Sequence, residues 1–151
     1  MRRDHPFWQA IINLRHGHGL TRLMLVAGPG RLASVETLIA WHADVHMAAD
    51  ISGGRTALMW AVCRSYIVDN GNIMVVRALL AAGAGVDSVD SWGQTALLLA
   101  SRYGRVEAVR ALLTAGASKH LIARGGATAY ICASSRPEKT ATIRALLDLA
   151  P

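Results

Sequence analysis

The sequence is poor in cysteine and contains no long apolar run. Cys63 and Cys132 are its only cysteines, which are too few for a disulfide framework, so we expect a reducing compartment, the cytoplasm with the nucleus as the alternative. Its longest apolar runs, such as residues 97–100, are far shorter than the roughly 20 residues that span a membrane. Residues 7–14 also lack the features of a secretory leader. The sequence therefore predicts neither a transmembrane helix nor a membrane partner.

The sequence also has fewer acidic residues than basic ones. Ten Asp and Glu stand against sixteen Lys and Arg, which gives a net charge of +6 and an isoelectric point near 10.2. Fourteen of the sixteen basic residues are arginine, whose planar guanidinium binds carboxylate or phosphate through paired hydrogen bonds. The balance of charge predicts an acidic partner.

The sequence contains a repeated pattern of two short helices, each copy opened by a threonine. The four threonines are separated by 35, 39 and 33 residues: Thr21, Thr56, Thr95 and Thr128. In the most regular copy, Gly93–Ala117, Thr95 is suited to cap one helix, Gly104 breaks the chain and Gly116 ends a second helix. Neither helix can bury its apolar side alone, so the copies are expected to stack into one core.

These positions resemble the ankyrin repeat, whose pattern is Gly-x-Thr-Pro-Leu-His-x-Ala-Ala, a glycine break, then Val-x-x-Leu-Leu and Gly-Ala. The resemblance covers Leu20 to the C-terminus. It implies an all-α ankyrin-repeat solenoid of stacked helix–turn–helix pairs with projecting hairpin-like loops. The family's proline and histidine are replaced in every copy, and we expect apolar packing to compensate. The replacements are Arg22, Ala57, Ala96 and Ala129 for proline, and Met24, Met59, Leu98 and Ile131 for histidine.

The predicted organisation is a single domain with a capping helix before the repeats. We expect that helix to run from about Pro6 to His16 with Asp4 as its cap, because Phe7, Ile11 and Leu14 share one helical face. The second repeat has six more residues between its helices than the third, which predicts a protruding loop. The segments are 1–19 for the cap, 20–50, 51–89 with the inserted loop 66–72, and 90–122 for three repeats, and 123–151 for a C-terminal capping repeat.

Nothing in the sequence indicates catalysis. The resemblance places His42 at the family's helix-ending glycine, so His46 should lie in a loop and the pair should not form a metal site. Cys63 and Cys132 belong to repeats two apart, which predicts a separation of roughly 20 Å and no disulfide. The glycine-rich segments lack the Gly-Lys-Ser or Gly-Lys-Thr ending of a phosphate loop. We therefore expect no enzyme activity, no cofactor and no metal.

In ankyrin proteins, the loop tips and the end of the first helix of each pair line a concave partner-binding face. By resemblance, the residues expected on that face here are Arg55, Trp60, Arg64, Trp92, Gln94, Arg102, Tyr103, Arg124 and Arg136. Tryptophan, tyrosine and arginine are the residue types enriched at interface hot spots. The competing interpretation is that Trp60 belongs to the core and that the arginines are merely solvated.

The leading hypothesis is a non-enzymatic scaffold that binds an acidic protein or peptide in the concave groove. The alternative is a basic repeat protein that binds nucleic acid, although no recognition-helix motif is present and the basic residues are spread over all four repeats. An enzymatic function is the third and least supported hypothesis. The sequence leaves the oligomeric state open.

Overall fold

A computed structural model describes residues 6–63, 71–135 and 137–150, with only the backbone described at Pro6 and Gly71. Contacts divide the chain into two compact units, Met1–Gly85 and Val86–Pro151. Helices dominate both units, and the predicted all-α fold of paired helices is confirmed.

Within the described residues, the first unit contains a capping helix, a small hairpin and two helix pairs. In chain order these are α1 (Pro6–Ile12), β1 (Arg15–His16), a 3₁₀ turn (Gly17–Gly19), β2 (Leu20–Thr21), α2 (Arg22–Ala27), α3 (Leu32–Ala40), α4 (Ala57–Cys63) and α5 (Gly71–Ala81). The first helices of the pairs, α2 and α4, pack on each other, and so do the second helices, α3 and α5. Each pair thereby buries its apolar sides against the next.

The second unit repeats this plan with two further pairs, again counted over the described residues. They are α6 (Ala96–Arg102) with α7 (Val106–Thr114), and α8 (Ala129–Ala133) with α9 (Pro137–Leu149). The first helices α6 and α8 pack together, as do α7 and α9. Leu98, Ala123 and Cys132 form one apolar cluster between α6, the loop and α8, with Ala127 against it. Leu112 of α7 is fully buried, as expected for an inter-repeat core position.

Three of the four repeat threonines cap the helices that follow them. The hydroxyls of Thr21, Thr95 and Thr128 each accept a hydrogen bond from the backbone N–H three residues later, at 3.2–3.3 Å. This bond satisfies one of the donors that the first turn of a helix leaves unpaired. Thr56 is buried, and its hydroxyl makes no hydrogen bond to any described residue.

The expectation for the N-terminal helix was wrong at its C-terminal end. The helix stops at Ile12, and Arg15 and His16 instead pair with Leu20 and Thr21 in an antiparallel hairpin. The Arg15 side chain holds this hairpin, since its Nη1 donates to the Ala48 carbonyl and to Asp50 Oδ1, both at 2.7 Å. A tertiary contact across more than thirty residues therefore overrides the helical pattern.

The end of α3 confirms the position assigned to His42. Its φ is +59°, in the left-handed region, and the equivalent residues after α5 and α7 are Gly83 and Gly116, with φ of +84° and +85°. The left-handed residue ends each helix and turns the chain into the next loop. His46 consequently lies in that loop, as predicted.

Candidate protein-binding surface

The loop tip of the third repeat is a tight turn organised by Asp90. The backbone N–H of Asp90 donates to the Gln94 carbonyl at 3.0 Å, which closes the turn. The Asp90 carboxylate is buried and accepts hydrogen bonds from the N–H groups of Trp92 at 3.0 Å and Gln94 at 2.9 Å. An aspartate that bonds backbone two and four residues ahead fixes a turn without a helix or a strand. Trp92 is thus presented on an ordered tip with 47% of its surface exposed.

The tip of the fourth repeat packs beside it. The Arg124 N–H donates to the Trp92 carbonyl at 2.8 Å, and the Ala123 N–H closes the second turn on the Ala127 carbonyl at 2.9 Å. A Cβ at Gly93 would lie 3.4 Å from both the Ala123 Cα and the Arg124 nitrogen, and its φ is +72°. Glycine therefore lets the two tips approach each other. The side chain of Arg124 is exposed, and the backbone of the same residue is bonded to Trp92.

Arg102, the last residue of α6, is held by the tip. With its side-chain amide oriented so that the oxygen faces Arg102, Gln94 accepts hydrogen bonds from Nη1 at 2.8 Å and Nη2 at 3.0 Å. Gln94 is only 8% exposed, so it positions the guanidinium and offers little surface of its own. The half-buried Tyr103 follows directly and caps α6 through its N–H bond to the Leu99 carbonyl at 2.9 Å.

These residues of the second unit form what we call the tip surface: Trp92, Gln94, Arg102, Tyr103 and Arg124. Two aromatic side chains and two guanidinium groups are present on it. Backbone bonds hold the two turns, and the buried Gln94 amide holds Arg102. Such a surface can bind carboxylates by charge-assisted hydrogen bonds and can bury an apolar group against the indole.

The comparison with known proteins identifies the repeats. Residues 65–150, more than half of the chain, match the family model for ankyrin repeats in three copies. The chain belongs to the ankyrin-repeat family. It is also similar to the rat ankyrin repeat and SAM domain-containing protein 6, with 39% identity over 85 residues. That alignment covers 56% of this chain but 9% of the relative, so the chain spans a small part of that protein. Ankyrin repeats generally mediate protein–protein interactions and are generally non-enzymatic.

The remaining predicted partner-binding residues are buried, half-buried or outside the described residues. Trp60 is only 8% exposed because α2 and α5 both pack against α4. This burial favours the competing interpretation of Trp60 as a core residue. Arg55 is half-buried at the end of its loop. Arg64 and Arg136 lie outside the described residues, as do residues 66–70 of the inserted loop. The expected loop ends too late at residue 72, because α5 already begins at Gly71 and Asn72 is buried.

The sequence interpretation did not include Asp90. Asp90 is buried and is not a candidate contact residue. It instead sets the conformation of the tip that carries Trp92. An Asp followed by Ser, Trp and Gly is turn chemistry, and that signal was available in the sequence.

Across residues 6–63, 71–135 and 137–150, His, Cys, Asp and Glu nowhere gather in a group of three or more that could hold a metal. Cys63 and Cys132 are both buried, and neither forms a disulfide. Of the helices in these ranges, none has the length and apolar character needed to cross a membrane.

Proposed function

We propose that this ankyrin-repeat protein binds an acidic protein or an extended acidic peptide, and that the tip surface is the centre of the contact in the second unit. Arg102 and Arg124 would bind carboxylates, and Trp92 would be the apolar anchor. The observation that carries the proposal is the half-exposed Trp92 on a turn that the buried Asp90 holds in place. Arg136 of the second unit, and Arg55 and Arg64 of the first unit, remain predicted partner-binding residues.

The tip surface is already ordered in the free protein, and this supports its proposed role as the binding site. A side chain that is already held loses less conformational entropy on binding, and immobilising a flexible one costs about 0.5–1.5 kcal/mol. The two hydrogen bonds that Arg102 donates to the Gln94 side chain restrict its guanidinium, and the backbone bonds on both sides restrict the turn that carries Trp92. The restricted geometry favours a partner with carboxylates at fixed spacing over one recognised by net charge alone.

We infer a reducing compartment, the cytoplasm or the nucleus. Neither of the two buried cysteines forms a disulfide, which supports this proposal.

The proposal is tested by selecting acidic peptides on the intact protein from a displayed peptide library and measuring their affinities by calorimetry. Trp92→Ala should weaken a selected peptide by about 2 kcal/mol or more, because a buried aromatic anchor is lost. Arg102→Glu should weaken it and slow association, because attraction becomes repulsion. The matched control is Arg110→Glu, the same charge change at an exposed position on α7 that faces Glu107 at 3.8 Å.

Two outcomes would contradict the proposal. One is a peptide that tolerates Trp92→Ala and Arg102→Glu but is lost with Arg110→Glu, which would move the contact to the second helices. The other is binding to single-stranded DNA that is tighter than to any selected peptide and falls steeply with salt, as counterion release requires.

A further inference from the structure

An exposed serine hydroxyl meets an arginine at the corner between α8 and α9 of the second unit. Ser134 is the residue that ends α8, and its side chain is exposed. Arg144 lies in the middle of α9 and is half-buried. Its Nη2 donates a hydrogen bond to Ser134 Oγ at 2.6 Å. This bond connects the end of the first helix of the pair with the second helix.

The Arg144 guanidinium is held in place, yet its donors are incompletely used. Its central carbon lies 4.4 Å from the centre of the Tyr130 ring, in a cation–π contact that fixes the plane of the group. Nε is buried and has no hydrogen-bond partner among the described residues. Within the same residues no carboxylate forms an ion pair with Arg144. A buried donor without an acceptor is destabilising, so this edge of the guanidinium favours a further acceptor.

The shape of the guanidinium indicates which acceptor would fit. Nε and Nη2 lie on one edge of the planar group, and their parallel N–H bonds match two oxygens of a carboxylate or a phosphate. The single oxygen of the Ser134 hydroxyl bonds only Nη2. A phosphate on that oxygen adds three acceptor oxygens and a charge of about −1.5 to −2, so it can bond both nitrogens.

We propose that Ser134 is a phosphorylation site and that Arg144 binds the phosphoserine. In the reaction, Ser134 Oγ attacks the γ-phosphorus of a nucleoside triphosphate bound to a protein kinase. The bond between that phosphorus and the oxygen bridging to the β-phosphate breaks, the nucleoside diphosphate leaves, and the hydroxyl proton passes to a base of the kinase. The phosphate then joins α8 to α9 by paired, charge-assisted hydrogen bonds.

The neighbouring sequence indicates the class of kinase. Ser134 is followed by Ser135 and Arg136, which puts a basic residue two positions after the hydroxyl. Kinases select substrates by such charge patterns, and a basophilic kinase with an acidic pocket at this position would accept the segment. Ser135 is also exposed but has Pro137 at the corresponding position. The two adjacent serines are therefore distinguishable by the same enzyme.

The first experiment incubates the full chain with magnesium ATP and a serine kinase that selects arginine two residues after the serine. Mass spectrometry then locates the phosphate. We expect one phosphate, at Ser134, that is lost with Ser134→Ala and kept with the matched control Ser135→Ala. Arg136→Ala should slow incorporation about tenfold, which corresponds to the loss of one good charged contact with the kinase.

The second experiment measures the pKa of the bound phosphate by phosphorus NMR. The second pKa of phosphoserine is ordinarily about 6, and the Arg144 guanidinium should lower this pKa by about half a unit or more because it favours the dianion. Arg144→Gln should abolish the shift. Arg144→Lys, which keeps the charge without the paired donors, should retain only part of it. The reference is a chain with phosphoserine genetically encoded in place of Ser135.

Thermal unfolding provides a separate readout of the same contact. Phosphorylation at Ser134 should raise the unfolding midpoint by about 2–4 °C, and Arg144→Gln should remove this gain. Circular dichroism checks that the variants fold, and Arg144→Lys carries the comparison if Arg144→Gln does not fold.

Three outcomes would overturn the inference. One is a folded chain in which the kinase leaves Ser134 unmodified. The second is a phosphate pKa that is the same at residues 134 and 135. The third is a pKa at residue 134 that does not respond to either Arg144 variant, which would show that the arginine does not bind the phosphate.

Discussion

Replacing Leu112 with alanine tests the inter-repeat core most directly. The side chain is fully buried in α7, which packs against both α6 and α9. Alanine keeps the helix, because it has the highest intrinsic helix propensity, so the loss comes from burial and from the cavity left behind. Leu→Ala changes at fully buried sites cost about 2.7–5.0 kcal/mol, increasing with the volume of the cavity that remains. Since Leu112 is packed from two sides, we expect a loss of about 3 kcal/mol or more.

The matched control is the next residue. Leu113→Ala makes the same chemical change in the same helix, but Leu113 is only half-buried. It should cost about half as much or less, because stabilisation scales with the apolar area removed from water. Urea unfolding followed by circular dichroism, with unchanged m-values, measures both free energies of unfolding. Equal losses for the two variants, or a loss at Leu112 below about 0.5 kcal/mol, would refute the assignment of Leu112 to the core.

Two further predictions concern helix ends. His42→Gly should raise the free energy of unfolding by about 0.5–1 kcal/mol, because relief of the left-handed conformation, about 1–2 kcal/mol, exceeds the added chain entropy of glycine. His42→Ala should give no such gain, and a gain equal to that of glycine would show that the backbone is not strained. Lys119→Met should lower the free energy of unfolding by about 1 kcal/mol, because Lys119 Nζ donates to the carbonyls of Leu147 and Ala150 at the end of α9. Unchanged urea stability of that variant would argue against the contact.

The repeat architecture was readable from the sequence because its signals are local. A capping threonine accepts a hydrogen bond from a backbone N–H only three residues away. Thr21, Thr95 and Thr128 therefore mark helix starts by a purely local contact. The left-handed residue that ends a helix acts over a similar range, and the sequence position of His42 sufficed to identify it. Short-range geometry repeated four times also predicts the pairing of helices, since no isolated pair can bury its apolar side.

The tertiary structure decided what is exposed and where the first helix ends. Trp60 and Trp92 were both expected on the binding face, but neighbouring helices bury Trp60 while a turn without such neighbours leaves Trp92 half-exposed. The end of α1 depends on Arg15, which reaches Ala48 and Asp50 across the fold. Tertiary packing also decided the role of Gln94. Because Gln94 is buried, it supports Arg102 and is not itself a contact residue. Whether a residue is buried depends on the segments that surround it. The periodicity of one segment does not predict where the other segments lie.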